Sequence, residues 1–593
     1  MLNSRAGALL LCLLLATDSS FAQIAPDTGQ LMREQERLRR PPPVRTLAAP
    51  VLYEPSPPAP AVADGGPRLL VKGFRFSQNS VFDSPTLGAL LSDLIGRELS
   101  LAELNEAADR ITAHYRQQGY FLANAYLPAQ DIADGMLDIT VLEGRLGQVR
   151  LDNQSRVKDS VLRAHLDDLP AGQALAGAAL ERKLLLINSL AGVSVQSTLT
   201  PGTSVGSTDL DIRAEGLPPV SASLGLDNFG TRYSGIWRAN AALGLSNPLG
   251  LGDALSLNAY SAGRPYSYGR LAYQLPVGQQ GMQLGLAGSA MNYRLGGDFA
   301  ELLSHGRAEV ASVYALQTLQ RSRSSKLQLQ LNFDHKSLQD RIDSVQSHSD
   351  KKIDVLLLGL SGDQLDAAGR GSLRWSFGHV QGRLKIDPVV AAAAAKGPQS
   401  AGRYAKWTGT LTRQQSLGVL GQALDPWLRP APKTSFEPAT VAPSEPAAPT
   451  PSGSAIAQSL SITAQIGGQF SAGKNLDSSE KFSLGGAQGV RAYPQGEAAC
   501  DDAWLLNLEL RLDLSPAWQL SALFDAGAGR LSHNPIQNSS RNQARLSGLG
   551  FGANFSGPSG LSWITSLAWR TGPAPLSDQD RSPRLWTSAQ QTF

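Results

Sequence analysis

The sequence predicts an all-β transmembrane barrel of about sixteen antiparallel strands, preceded by two small α+β modules of βααββ order and one N-terminal helix. Three observations carry this. Charged residues make up only 17% of the chain and glycines number 59, against about 25% charged residues in ordinary soluble domains. The first residues have the form of a secretory signal. From Val220 onward, strand-length runs of alternating polarity repeat with turn residues between them and no helical pattern.

The expected signal peptide spans residues 1–22: Arg5 precedes an apolar run from Ala6 to Ala16, and Ser20 and Ala22 stand before Gln23. The apolar run is too short to span a bilayer, and Cys12 follows Leu11 rather than a small residue, so a lipoprotein site is not expected. Cleavage after Ala22 would leave one cysteine, Cys500, which excludes intrachain disulfides and cysteine-based metal clusters in the mature chain. A formal charge of +3 gives no argument for nucleic acid. The sequence contains no run of 18 apolar residues, which excludes a helical membrane protein. A closed barrel is the other structure that satisfies every backbone group in lipid.

Residues 27–40 read as one charged helix with Asp27 placed to cap it and with Arg33, Arg37, Arg39 and Arg40 along it. Residues 41–66, crowded with proline, read as an extended linker. The first module, residues 67–146, should open with a strand over Leu69 to Phe76. A helix follows from Asp83-Ser84-Pro85 with Leu87, Leu91, Leu94 and Ile95 along it. The capping box Ser100-Leu-Ala-Glu103 starts a second helix that buries Leu104, Ala108, Ile111 and Tyr115 and stops at Gly119. Strands are expected at Phe121 to Leu127 and at Leu137 to Leu142. A more degraded copy, residues 147–216, has helical positions Leu180, Leu184 and Ile187 and strands at Val193 to Leu199 and Asp209 to Ala214.

The barrel is expected over residues 220–593. Its clearest strands set Leu327, Leu329, Leu331 and Phe333 against Gln328, Gln330, Asn332 and Asp334, and Leu506, Leu508, Leu510 and Leu512 against Asn507, Glu509, Arg511 and Asp513. Short turns such as Asn247-Pro248-Leu249-Gly250 are expected on the periplasmic side. Long connections, above all the proline-rich Asp425 to Ser454, are expected as surface loops.

Several stretches together resemble the two-partner secretion transporters, related to the haemolysin-activation and filamentous-haemagglutinin exporters. Gly119-Tyr120, Ala125, Leu127-Pro128, Gln130 and Val141-Leu142-Glu143-Gly144 are similar to that family's polypeptide-transport-associated (POTRA) domain. Leu224 to Arg232 and Ser246 to Asp253 resemble its barrel entry. Phe482 to Gly486 leads into Val490-Arg491-Ala492-Tyr493, similar to its loop-six signature, and Leu523-Phe524-Asp525-Ala526-Gly527 is similar to the strand motif that partners it.

The resemblance implies a bacterial outer-membrane barrel with periplasmic POTRA domains. The 27–40 helix would be a plug in the resting pore, and Arg491 would meet Asp525 on the wall. Gly119, Tyr120, Leu127, Pro128, Glu143 and Gly144 would belong to the region that receives the N-terminal secretion domain of a large secreted partner, such as an adhesin, haemolysin or toxin. The partner would add as a strand to a sheet edge, then fold outside. Phe593 resembles the terminal aromatic read by the barrel-assembly machinery, and outer-membrane lipid would surround the wall. One position departs: the signature carries glycine where this chain has Ala492, so a different turn or a less mobile loop tip is expected.

No cofactor, metal site, nucleic-acid partner or enzymatic activity is expected. Seven histidines are scattered without ligand spacing, no nucleophile elbow or phosphate loop stands in context, and Asp501-Asp502 reads as a solvated loop pair. Two other functions fit parts of the pattern. An assembly factor of the same superfamily would commonly carry three or more modules, and a passive porin would carry none.

Overall fold

A computed structural model of the protein describes residues 25–38, 68–132, 134–169, 171–366, 368–386, 399–418, 460–535 and 542–593. The expected signal peptide, the linker at 41–66 and the span from Asp425 to Ser454 lie outside these residues.

Helix α1, Thr28–Leu38, is capped by Asp27, whose Oδ1 accepts the Gln30 N–H at 2.9 Å. The first module contains β1 (Leu69–Leu70), β2 (Gly73–Ser77), α2 (Ser84–Ala89), β3 (Glu98–Leu99), α3 (Leu101–Gln117), β4 (Asn124–Tyr126) and β5 (Met136–Leu142). Both halves of the Ser100–Glu103 capping box are formed at the start of α3. Leu104, Ala108, Ile111 and Tyr115 enter the module core beneath the sheet β2-β5-β4.

Local expectations needed three changes. The strand expected over Leu69 to Phe76 is two, because β1 pairs with β3 while β2 runs parallel to β5. Helix α2 ends at Ala89, a 3-10 turn carries Leu94, and Ile95 is exposed. Phe121 and Leu122 precede β4 rather than joining it, and they pack on the core of the second module.

That second module comprises β6 (Arg145–Gln154), α4 (Asp159–Leu166), α5 (Gly177–Ile187), β7 (Val193–Pro201) and β8 (Ser207–Gly216). Its sheet order, β6-β8-β7 with β6 parallel to β8, repeats that of the first module. Leu180, Leu184 and Ile187 of α5 are buried against it.

Sixteen further strands among the described residues close into one antiparallel barrel. The first eight are β9 (Val220–Asp227), β10 (Arg238–Ser246), β11 (Ala254–Ser261), β12 (Tyr266–Val277), β13 (Met282–Arg294), β14 (Ser304–Arg321), β15 (Ser325–Ile342) and β16 (Ser347–Leu365). Then come β17 (Gly371–Ile386), β18 (Gly402–Ser416) and β19 (Leu460–Ser471). A long connection follows, containing the two-residue strands β20 (Phe482–Ser483) and β21 (Ala499–Cys500). The wall resumes with β22 (Asp502–Asp513), β23 (Trp518–Arg530), β24 (Gln543–Ser556), β25 (Leu561–Arg570) and β26 (Arg584–Thr592), which pairs with β9.

Alternation sorts the faces. Leu329, Leu331 and Phe333 of β15 are exposed on the outside, while Lys336 and Leu338, on the opposite parity, are buried in the lumen.

The second module sits at the end of the barrel that carries the Asn247–Gly250 turn. Lys158 N–H donates to the Gly250 carbonyl at 2.9 Å, and Ala191 N–H to that of Gly252 at 3.0 Å. Arg182 donates to the carbonyls of Thr318 and Leu319, at the foot of β14. The resemblance, which puts the modules in the periplasm, makes this the periplasmic end.

Strand alternation then corrects the expectation for the proline-rich span. β18 descends to the same end as the Asn247 turn and β19 rises from it, with Leu417 N–H donating to the Leu460 carbonyl at 2.9 Å. The described ends of β18 and β19 that flank the proline-rich span therefore stand at the module-bearing end of the barrel, not at the opposite end where a surface loop would begin. Side is decided by counting every strand before the connection, which no local feature of the span reveals.

Candidate functional site in the barrel lumen

Residues 472–501, between β19 and β22, fold back into the lumen. β20 and β21 pair as a short ribbon, and Val490, Ala492 and Tyr493 are buried. Arg491 lies against the inward face of β22 and β23. Its Nε and Nη2 donate to the two carboxylate oxygens of Asp525, each at 2.8 Å, and its backbone N–H reaches Oδ2 at 3.0 Å. Asp525 is completely buried.

Asn507, directly across the ladder from Asp525, donates to Asp525 Oδ1 at 2.7 Å and to the Gly489 carbonyl at 2.9 Å. The third side of the guanidinium meets Glu509, which in turn holds Arg511. The Trp586 indole donates to the Arg491 carbonyl at 2.7 Å. A planar guanidinium with fixed donors suits this forked arrangement, which an ammonium would not reproduce.

The neighbours of Arg491 and Asp525 have their own tasks. Gly527 leaves room for Leu484 of the infolded segment, since a Cβ there would lie 3.1 Å from the Leu484 side chain. Phe524 points outward and is exposed. The Tyr493 hydroxyl donates to the Pro573 carbonyl at 2.8 Å, tying the segment to the connection between β25 and β26. Glu497 accepts the backbone N–H groups of Leu576 and Ser577 in that same connection. Ala492 is not in the left-handed region, so alanine costs no backbone strain there, contrary to the concern the signature raises.

A second anchor of this segment was missed by sequence reasoning. Glu480 is buried between Lys336 of β15, at 2.9 Å, and Lys406 of β18, at 2.8 Å. Asp477 pairs with Lys351 of β16 at 2.9 Å. The available signal was parity: Lys336 shares the inward register of Gln330, Asn332 and Asp334. Nothing local pairs it with a glutamate 144 residues away. Asp501 and Asp502, expected in solvent, are also buried. Lys481 meets Asp501 at 3.0 Å, while Asp502 accepts the Ser471 N–H and His533 Nδ1, both at 2.8 Å. The strand-end geometry, not the local polarity, removes this pair from water.

Helix α1 lies across the lumen beside this segment. Thr28 N–H donates to Asp340 Oδ1 at 2.9 Å and its hydroxyl to the Gln339 carbonyl at 2.9 Å. Asp27 meets Lys351 at 3.3 Å and accepts the Ser478 hydroxyl at 2.6 Å. Gln35 accepts from Arg238 at 2.9 Å and from the Tyr266 hydroxyl at 3.1 Å. Arg37 donates to the Ser483 carbonyl and stacks over Phe482. Leu31 and Met32 pack into an apolar cluster with Tyr266, Tyr268, Met291 and Tyr293, so the wall around the helix is not uniformly polar. Between α1, the infolded segment and the wall a space of about 760 Å³ remains, lined by Arg33, Arg37, Gln465, Asn507, Arg511 and Asn554 among others.

The singled-out residues of the first module lie at its base. Glu143 is buried and accepts from Ser80 N–H at 2.6 Å, Val81 N–H at 2.8 Å and the Tyr115 hydroxyl at 3.0 Å. Burial, and then the Glu143 carboxylate, push the Tyr115 phenol up. Tyr120 stacks edge-on against Phe82 and Tyr115, and Leu127 packs on the module core. Pro128 is half-buried beside it. Gly119 and Gly144 both have positive φ, and their carbonyls accept the N–H groups of Gly177 and Leu175 in the second module, at 3.0 and 3.2 Å. At Gly144 a Cβ would fall 2.3 Å from Leu122. These contacts hold the first module together and fasten it to the second. The Glu143 carboxylate is consumed by them.

A closed sixteen-strand barrel with an infolded segment, a helix across its lumen and POTRA-like modules at one end defines an outer-membrane transporter of the two-partner secretion type. The model of the haemolysin secretion/activation proteins ShlB/FhaC/HecB matches residues 206–425 and 450–555, and that of the ShlB-type POTRA domain matches 69–144. The chain belongs to this family, and residues 426–449, unmatched, fall inside the proline-rich connection.

Among similar proteins, the heme/hemopexin transporter protein HuxB of Haemophilus influenzae (strain 86-028NP) is 27% identical over 589 residues, 96% of this chain and 95% of its own length. The outer membrane transporter CdiB of Escherichia coli O6:K15:H31 (strain 536 / UPEC) is 30% identical over 252 residues, 42% of each chain. The solved structure of CdiB from Escherichia coli superposes with a TM-score of 0.69 at 20% identity, covering 97% of this chain and all of that one. CdiB from Acinetobacter baumannii gives 0.63 at 19% identity, covering 95% and 97%. Both share the fold.

Proposed function

We propose that this transporter takes up one large secreted protein in extended form at the free edge of β2, and that the infolded segment held by Arg491 and Asp525 gates its passage. A two-module base supports secretion over assembly of other barrels, where three or more modules are common. In the first sheet β2 and β4 are terminal. The single observation that carries the choice of edge is that Ala125 N–H of β4 already donates to Thr112 Oγ1, at 2.9 Å. β2 therefore remains the edge to which an unfolded chain can add by backbone pairing. Arg75 and Ser77 on that strand are exposed.

The cargo class follows from the relatives, whose names describe transport of heme/hemopexin and of hemolysin. Helix α1 and the infolded segment occupy the route and must both shift for an extended chain to pass. The driving force is folding of the cargo outside, since the periplasm supplies no nucleotide.

The test is photo-crosslinking in producing cells, with a crosslinker placed at Arg75, Ser77 or Asn124 in the full chain. Adducts with a secreted protein from the β2 positions and none from Asn124 support the reading. Adducts from Asn124 alone, or adducts only with barrel proteins in transit, overturn it.

A further inference from the structure

We propose that the outer face of β16, β17 and β18, at the extracellular end of the barrel, binds the phosphates of an anionic outer-leaflet lipid through Lys352, Arg383, Lys385 and Arg403. Register places these residues. Leu358, His379 and Trp407 stand side by side across the three strands, and Phe470 is opposite Trp407 on β19. One step higher on the same face come Leu356, Gln381 and Ala405, then Asp354, Arg383 and Arg403, then Lys352 and Lys385. The lower rows are lipid-facing, with Leu356, Leu358, Phe377, Trp407 and Phe470 exposed. The inward neighbours Ile353, Val380, Leu384 and Tyr404 are buried in the lumen cluster, so the four cations point away from the pore.

The charge arrangement is unfavourable as it stands. Lys352 is directly opposite Lys385, and Arg383 directly opposite Arg403. Like charges at opposed positions of an antiparallel pair repel and destabilise it. In these rows Asp354 is the one carboxylate, and it is shared, meeting His335 at 2.7 Å and Lys385 at 3.5 Å. Glu309, further along, is engaged by Arg307. Four cations against one shared carboxylate leave a local excess of three positive charges, which a multivalent anion would neutralise.

Position identifies which anion. An aromatic and aliphatic band ending in His379, Trp407 and Phe470 marks the level where hydrocarbon gives way to headgroups. The cations begin two rows above it, about 13 Å along the strands and less along the membrane normal because barrel strands tilt, which brings their long side chains to the level of lipid phosphates. Guanidinium and ammonium groups on a rigid sheet offer charge-assisted hydrogen bonds to phosphate oxygens.

Native mass spectrometry of the purified, delipidated full-length protein tests this, with bisphosphorylated lipid A as the probe. The wild type should retain the probe. The variant K352Q/R383Q/K385Q/R403Q should bind it at least tenfold more weakly, while R341Q, which removes a cation already paired with Asp350, should bind as the wild type does. Dephosphorylated lipid A should bind all three proteins equally weakly. Heat-modifiable mobility on gels reports folding, and R383E alone provides the same readout if the quadruple variant does not fold. Equal retention by wild type and variants overturns the proposal. So does displacement of the probe by an equimolar amount of inorganic phosphate, which would mean a free-anion site, or preference for an acidic peptide over the lipid, which would mean a protein-docking patch.

Discussion

The methyl of Ala492 stands against Gly548 of β24, where a Cβ would lie 2.5 Å from it. The departure from the family signature at 492 is thus accommodated by a wall glycine rather than by a change of turn. Gly548 is directly opposite Asp525 across the β23–β24 ladder, so this close approach and the Arg491 fork fix the same few ångströms of the segment.

Gly548→Ala should therefore loosen the segment. Overpacking of this kind costs about 1–3 kcal/mol, and the variant should lower the temperature midpoint of the gel mobility shift and reduce secretion. Combining it with Ala492→Gly should recover part of the loss. Recovery stays partial because the new Cβ would still sit 2.9 Å from the Trp569 carbonyl. No improvement in the double variant would show that the two positions do not meet.

Arg491→Ala and Asp525→Ala should each cut secretion at least tenfold while leaving a heat-modifiable barrel, because the partner is left buried and unpaired at a cost of about 3–5 kcal/mol. The exchanged pair, Arg491→Asp with Asp525→Arg, should not recover. An aspartate at 491 would face Glu509, and an arginine at 525 would lose the Asn507 and backbone donors now directed at a carboxylate. Secretion by the exchanged pair above that of both single variants would contradict the fork geometry.

Lys351→Ala removes the cation shared by Asp27 and Asp477, freeing α1 and the infolded segment together. Planar-bilayer recordings should show more frequent large openings than the wild type, approaching those of a deletion of residues 27–40. Recordings indistinguishable from the wild type would place the resting closure elsewhere.

The strand count puts the end of β18 and the start of β19 at the module-bearing, periplasmic end of the barrel. A membrane-impermeant maleimide should label Val345→Cys, in the exposed turn between β15 and β16, on intact cells. Ser444→Cys should react only after the outer membrane is permeabilised. Labelling of Ser444→Cys on intact cells would mean that a strand has been miscounted.

Glu143→Ala strips the acceptor from two backbone N–H groups and the Tyr115 hydroxyl. Each buried donor left unpaired costs about 1–3 kcal/mol, so limited proteolysis of the full chain should cut the first module faster and spare the barrel. Secretion loss without faster cleavage would instead point to a direct contact with cargo.

The sequence by itself determined the barrel, its alternation and the general position of both modules. These follow from short-range rules: side-chain period, capping at Ser100, glycine after α3 and the low charge of a wall facing lipid. It also carried the Arg491 and Asp525 motifs, because each is a contiguous run.

Tertiary structure alone decided what depends on closure. Lys336, Lys406 and Glu480 come from three distant segments, and only the ring brings their inward faces together. Burial of Asp501 and Asp502 depends on where β22 begins against β19 and β23, a register that local polarity does not encode. The side on which the proline-rich connection emerges depends on the number of strands before it. Whether Ala492 was tolerable rested on a glycine 56 positions further along the chain, because van der Waals contact is set by distance in space and not by spacing in sequence.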